Sequence, residues 1–190
     1  MAKVSIIYFS GFGHTAKLAE AVHKGATSVA GVTSELIAIG GDDIIKGRYQ
    51  NDAVMAKLDA SDAIIFGSST YMGGVAAQFK AFADASSTKW FTGAWRDKLA
   101  SGFTVSSSPS GDKLHTLDYF FRLAMQHGMI WVGLGEMPMQ ENGINRLGSF
   151  SGAMGQARQE PPDVAPNEAD KMTGEALGKR TAHFALRLKS

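Results

Sequence analysis

The chain of 190 residues contains no cysteine. Disulfides, thiolate metal sites, thiol redox chemistry and a cysteine nucleophile are all excluded by that absence. Any redox chemistry has to be carried by a bound cofactor, and no metal-ligand set is expected. Charge of one sign is also missing: 19 Lys and Arg stand against 18 Asp and Glu, a formal net charge of +1. The basic residues are scattered, so no concentrated surface for nucleic acid exists. No apolar stretch approaches the roughly 20 residues needed to span a bilayer. The run from Met1 to Ile7 is too short for a signal-peptide core, and Ser10-Gly11 soon breaks the apolar pattern. The expectation is a soluble, cytoplasmic protein without a membrane or nucleic-acid partner.

What is present is an ordinary globular composition, 44% apolar and 19% charged, in a length that suits one well-packed domain over 1–190. Strand and helix patterns alternate. Near-continuous apolar runs at Lys3 to Phe9, Val32 to Ile39, Asp62 to Gly67, Leu99 to Ser106 and Met129 to Leu134 read as five strands buried on both faces. Between them, helical spacing marks His14 to about Ser28, Val75 to about Ser86 and Asp112 to His127, with Leu117, Phe120, Phe121 and Ala124 inward and Gly128 as the stop. Asp42 is placed as the cap of a short helical or irregular stretch reaching Leu58. Pro166-Asn167 opens a last helix whose Leu177, Phe184 and Leu188 share a face, with Glu175 and Lys179 paired on the outside. This alternation implies a parallel sheet with right-handed crossovers. The exception is residues 135–165, rich in Gly, Met and Pro and lacking periodicity. A loop that long in a compact domain usually serves function or an interface.

Three glycine- and hydroxyl-rich turns follow strands. They are Ser10-Gly11-Phe12-Gly13-His14-Thr15, Gly67 to Gly74 with Ser69, Thr70, Tyr71, Met72 and Gly73, and Ser106-Ser107-Ser108-Pro109-Ser110-Gly111. Ligands of open parallel α/β sheets bind outside the carboxyl ends of the strands. Gly11 to Ala16 matches a G-x-G-x-x-A dinucleotide fingerprint, yet no acid stands at the end of the second strand to hold a ribose: Glu35 is inside it and Asp42 lies beyond Gly40-Gly41. The turn has no Lys, which excludes a Walker-type loop. A phosphate at this helix N-terminus would meet backbone N–H groups, the helix dipole and the hydroxyls of Ser10 and Thr15. Taken alone, Ser10 and Thr15 are equally read as helix caps. With three such turns converging, the ligand reading leads. Tyr71 and Met72 suit a flat ring, and the third turn offers donors where a reduced flavin's pyrimidine side carries negative charge.

In these segments, and in Asp62 to Gly67, Lys98 to Ser101 and His127 to Met129, the chain resembles flavodoxin-fold NAD(P)H:quinone oxidoreductases of the tryptophan-repressor-binding-protein (WrbA) type. The resemblance covers nearly the whole chain. It implies a flavodoxin-like three-layer sandwich with a five-stranded parallel sheet in order 2-1-3-4-5 and helices on both faces. It also implies FMN, with its phosphate at Ser10 and Gly13 to Thr15, its ring against Thr70 to Gly73, and its ribityl and pyrimidine side along Ser106 to Gly111. NADPH or NADH would be the electron donor, a quinone-like molecule the acceptor, and a homodimer or homotetramer the assembly. Trp90 matches a family tryptophan that helps form the substrate pocket. The chain departs from the family at Ser69-Thr70-Tyr71-Met72, where Pro-Thr-Arg-Phe is common, and at Gln126-His127-Gly128, where the family has His-His-Gly. No catalytic acid or base is assigned, because flavin N5 itself accepts the hydride. His127 is read as structural, and His23, His115 and His183 as helix-surface residues. Arg96, Arg122 and Arg146 are candidate partners for a 2′-phosphate. The alternative is a flavodoxin-type electron carrier without a substrate of its own, against which the balanced charge speaks.

Overall fold

The structure, a computed structural model, describes residues 1–189. Its centre is three parallel strands, β1 (Ala2–Phe9), β5 (Ala63–Tyr71) and β7 (Leu99–Ser106), with β2 (Val32–Ala38) on the outer side of β1. β7 is buried at every residue, and β5 at all but Tyr71. Successive side chains point to opposite faces of a strand, and the sequence uses both. Ile6 and Ile65 enter one core with Leu18, Val22, Phe103 and Leu177. Their neighbours Ile7, Ile64 and Phe66 enter the other, with Phe79, Phe82, Trp95 and Phe120. Each such fully buried side chain contributes roughly 1.5–3 kcal/mol, which is how a chain with this many aromatic core residues holds two layers of helix on one sheet.

The first layer consists of α1 (His14–Thr27) and α6 (Glu168–Lys189). The two helices approach closely because Gly25 faces the Glu175 carbonyl and Gly178 faces the Val22 carbonyl, leaving no room for a Cβ at either position. The second layer contains α2 (Asp52–Asp59), α3 (Ala77–Ala85), α4 (Ser87–Thr92) and α5 (Lys113–Gln126). The strand order is the expected flavodoxin-like one, with the fifth position divided. β8 (Ile130–Trp131) pairs with Leu99 and Ala100, while β9 (Ala153–Gln156) pairs with Phe103 to Ser106. The expected strand Met129 to Leu134 is therefore shorter. Gly133 packs against the Phe150 carbonyl and Gly135 has φ +76, which turns the chain out of the sheet. It returns through Gly152, where contact with the Gly102 carbonyl admits no side chain. The 135–165 segment thus carries a strand as well as a loop.

Other expectations change for local reasons. Asp42 caps no helix. The chain there forms a small hairpin, β3 (Ile44–Ile45) and β4 (Arg48–Tyr49), and Asn51 caps α2 by accepting the Val54 N–H at 3.0 Å. The third expected strand runs on to Tyr71, so Ser68 to Tyr71 are strand rather than turn. The turn itself is Met72-Gly73, both with positive φ, closing onto β6 (Gly74–Val75). Two-residue hairpins favour this conformation because it matches the strand twist. Phe121 and Leu188 lie exposed rather than inward. Glu175 pairs across the layer with Lys24 at 2.6 Å rather than with Lys179.

His127 ends α5 in the second core. It stacks on Trp95 at 4.4 Å and meets the Ser86 hydroxyl through Nε2 at 2.9 Å. Burial pushes its imidazole down to about 4 from an ordinary 6.5. The unfolded chain then takes up this proton at a higher pH than the folded one, so acidification from pH 6.5 towards 4 favours unfolding, by at most about 3 kcal/mol. His127→Gln, which keeps a partner for Ser86, is expected to lose less stability than the wild type over that window. Thermal melts of both proteins at pH 7 and pH 4.5 give the comparison; equal losses would contradict the assignment.

Candidate functional site

The carboxyl ends of β1, β5 and β7 open into one cleft of about 410 Å³, lined by Phe12, His14, Thr15, Ser69 to Tyr71 and Val105 to Ser107. All three turns expected to meet do contribute to it. Gly13, at φ +89, is the N-cap of α1 and offers no side-chain cap to the helix. Ser10 accepts the Ala16 N–H at 3.1 Å, and Thr15 lies 2.9 Å from the Ser69 hydroxyl. Over the turn, the Tyr71 hydroxyl rests on Gly11, and Phe12 meets Tyr71 edge to face at 6.5 Å. Phe12 is 76% exposed and Tyr71 40%, so two aromatic rings stand open at the mouth. Met72, with φ +47, projects fully into solvent on the rim.

Three hydroxyls on the floor are spoken for. Thr104 donates to the Ser68 carbonyl at 2.7 Å. The Thr70 hydroxyl lies 2.8 Å from both Thr104 and Thr116. A hydroxyl has one proton to give. Since that of Thr104 is used on a carbonyl, Thr70 must donate to Thr104 and Thr116 to Thr70. The chain Thr116 to Thr70 to Thr104 to Ser68 is therefore directional, and none of its three protons remains for a ligand. Hydroxyl donors for a ligand are left at Ser10 and at one of Thr15 and Ser69; the others come from backbone N–H groups and from elements the sequence pattern does not announce.

Two such elements appear. Residues 157–162 fold over the phosphate-type turn: the Ala157 N–H donates to the Ser106 carbonyl at 3.1 Å, His14 Nε2 bonds the Glu160 carbonyl at 2.7 Å, and Pro162 packs on Gly13. This places Ala157, Arg158, Gln159 and Glu160 in the cleft wall. The only available signal was the length of the 135–165 segment. The second element is Lys113, fully buried, whose ammonium donates to the Ser106 hydroxyl and to the carbonyls of Ser108 and Pro109, each at 2.8 Å. A lysine at the start of an amphipathic helix ordinarily signals only a solvated face, so nothing in the pattern singles it out.

The remaining assigned residues are spread around the cleft. Ser107, Ser108 and Pro109 face a shallow depression shared with Arg158 to Glu160. Ser110 turns instead to an open groove of about 870 Å³ with His115, Phe121, Trp131 and Phe150. Gly111 has φ +54 and lies against Ser106. Trp90 sits on α4 beside Phe91, half-exposed and away from the cleft of its own chain. The arginines considered for a 2′-phosphate are elsewhere: Arg146 holds the buried Asp170 at 2.8 Å, Arg122 pairs with Asp118 at 2.8 Å, and Arg96 packs on Gly128. Arg158 is the arginine that lines the cleft.

A helix N-terminus capped by a side chain only at the Ala16 N–H, through Ser10, an arginine in the cleft lining, two open aromatic rings and a loop of backbone amides fit the parts of FMN. Sheet order and cleft position together define a flavodoxin-like flavoprotein. Residues 4–142 match the NADPH-dependent FMN reductase family, to which the chain belongs. It is an FMN-dependent NAD(P)H oxidoreductase. Among its relatives, flavodoxin FldP of Pseudomonas aeruginosa is 38% identical, with 99% of each chain covered. An NAD(P)H dehydrogenase (quinone) of Rhizobium rhizogenes is 33% identical over 96% of this chain and 98% of its own. The crystal structure of the flavodoxin, WrbA-like protein from Agrobacterium tumefaciens is 40% identical, with a TM-score of 0.77 over 98% and 99% of the two chains.

Gly13 is a position at this cleft that does not tolerate a side chain. A Cβ there is strained by the positive φ, at about 1–2 kcal/mol, and would stand 2.7 Å from Pro162 Cγ. Gly13→Ala is expected to lower the melting temperature and weaken FMN binding by about tenfold or more, a loss near 1.4 kcal/mol. Gly41→Ala, with open space around it, should change neither. Flavin fluorescence quenching and thermal melts read both effects; unaltered FMN affinity in Gly13→Ala would be the contrary result.

Proposed function

We propose that this protein is an NAD(P)H:quinone oxidoreductase in which one open cleft serves donor and acceptor in turn. The domain spans 1–190, with the 135–165 segment as its elaboration. The observation that carries the reading is the convergence of the three strand ends and residues 157–160 on one cleft with Phe12 and Tyr71 open at its mouth. Bound FMN supplies the centre that takes a hydride from nicotinamide and passes two electrons to the acceptor, so the protein need provide no matched acid or base there. The chain's own work is to bind and orient. The N-terminus of α1, where Ser10 takes up only the Ala16 N–H, receives the phosphate, with Arg158 as its cation. Phe12, Tyr71 and Met72 give the ring and the incoming aromatic substrate an apolar surface. Ser106 to Gly111 hold the polar edge. His14 is tied to the Glu160 carbonyl at 2.7 Å, so it stiffens the phosphate turn rather than shuttling protons.

Oligomerisation completes this proposal. Trp90 and Phe91 form an exposed aromatic pair on α4, and a second copy of the chain in a dimer or tetramer would bring such a pair over a neighbour's cleft. The quinone as acceptor is supported by relatives named NAD(P)H dehydrogenase (quinone). The relative named flavodoxin at 38% identity favours a second reading, a carrier that passes electrons to another protein. A net charge of +1 argues against it, because carriers of that kind rely on strong charge to steer docking.

Anaerobic mixing separates the two. The FMN-loaded protein is expected to bleach rapidly and completely with NADPH or NADH, then to recover its oxidised spectrum on addition of benzoquinone. Indifference to both nicotinamides, with a persistent half-reduced spectrum under dithionite, would instead identify the carrier.

A further inference from the structure

Lys113 is a buried cation that makes no ion pair among the described residues. Its three hydrogen bonds, each 2.8 Å, go to neutral oxygens of Ser106, Ser108 and Pro109. Asp170, the carboxylate acting on it through space, is already held by both nitrogens of the Arg146 fork at 2.8 Å and by the Gln156 N–H at 2.9 Å. A buried charge is costly unless its surroundings compensate it. Here the compensation comes from a loop, and the arrangement has two consequences. Carbonyl and N–H are opposed in a trans peptide, so turning the Pro109 carbonyl to Lys113 directs the Ser110 N–H away from it. The ammonium also touches Ser106, which lines the cleft, so its positive charge stands one hydroxyl behind the cleft wall.

We propose that Lys113 is a positioning residue of the flavin site, gathering the carbonyls of loop 106–111 inward and setting a positive charge behind Ser106, so that the cleft prefers reduced FMN over oxidised FMN. The inference rests on the flavin reading above. Two-electron reduction adds two electrons and one proton to the ring, which leaves it one negative charge richer than before. A fixed cation nearby stabilises that product electrostatically. Burial pushes Lys113 down to about 8, the nearby Asp170 raising it and Arg146 lowering it. The group therefore still carries its charge at neutral pH and releases it a little above.

The test compares wild type, Lys113→Gln and Lys113→Met in their affinity for oxidised FMN, by fluorescence quenching, and in the two-electron midpoint potential of the bound flavin. Loss of the charge is expected to weaken binding of reduced FMN about tenfold more than binding of oxidised FMN, lowering the midpoint by about 30 mV. A role confined to holding the loop would weaken both redox forms equally and leave the midpoint unmoved, which overturns the proposal. Should neither variant fold, the wild type alone decides. Its bound-minus-free FMN potential should fall as pH rises from about 7 to 9.5 and Lys113 loses its proton; a flat difference is equally fatal. If wild type binds FMN in neither redox state, the flavin reading itself fails and the proposal goes with it.

Discussion

At the buried ends of β5 and β7, the hydroxyls of Thr70, Thr104 and Thr116 meet at 2.8 Å, and the geometry of the cleft depends on this junction. All three residues are buried, and an unpaired buried hydroxyl costs about 1–3 kcal/mol. The requirement to pair them ties two strand ends and α5 to one another in a fixed order of donors. Thr15 and Ser69 do the same for α1 and β5, 2.9 Å apart. The protons of Thr70, Thr104 and Thr116 are committed to one another and to the Ser68 carbonyl, so this junction does not rearrange to greet a ligand. It acts as a rigid platform, and recognition falls to the groups around it: the N-terminus of α1, loop 106–111 and the strap at 157–162.

Part of the backbone strain sits on these turns, while Lys46, Asp97, Met139 and Asn145 carry positive φ elsewhere in the chain. Gly13, Met72, Gly73, Gly111 and Asp112 all have positive φ, and all lie on the turns around the cleft. For Met72 and Asp112, which have side chains, this conformation costs on the order of 1–2 kcal/mol each. The two cores offset it, with strands buried on both faces and with α1 and α6 brought into backbone contact at Gly25 and Gly178. Strain of this kind persists only where the surrounding structure over-determines it. The same rigidity lets Lys113 remain buried with no carboxylate in direct contact among the described residues.

Much of this was legible in the residues. The parallel strands stand out because burial on both faces demands unbroken apolar runs, and the run from Leu99 to Ser106 coincides with β7. The α1 turn announces itself through its glycines. What escaped the sequence was every feature that depends on distant partners. Ser69 and Thr70 look like ligand donors in a turn; only the neighbouring strand shows that they are strand residues bonded to other hydroxyls. The fifth strand divides because Gly133, Gly135 and Gly152 turn the chain out and back, and periodicity carries no sign of that. Lys113 has the local context of a surface lysine, and its burial follows from the return of residues 106–109 over it. Arg158 sits in an aperiodic segment whose path is set by one backbone bond to Ser106 and by Pro162 on Gly13.

The central claim is that the N-terminus of α1 and its Gly13 turn recognise the phosphate of a flavin. Calorimetric titration of the flavin-free protein with FMN and with riboflavin, which lacks only that phosphate, tests it most directly. The account predicts one FMN per chain, bound about a hundredfold more tightly than riboflavin, a difference near 2.7 kcal/mol. Equal affinity for the two would contradict it, because the turn would then contribute nothing to recognition.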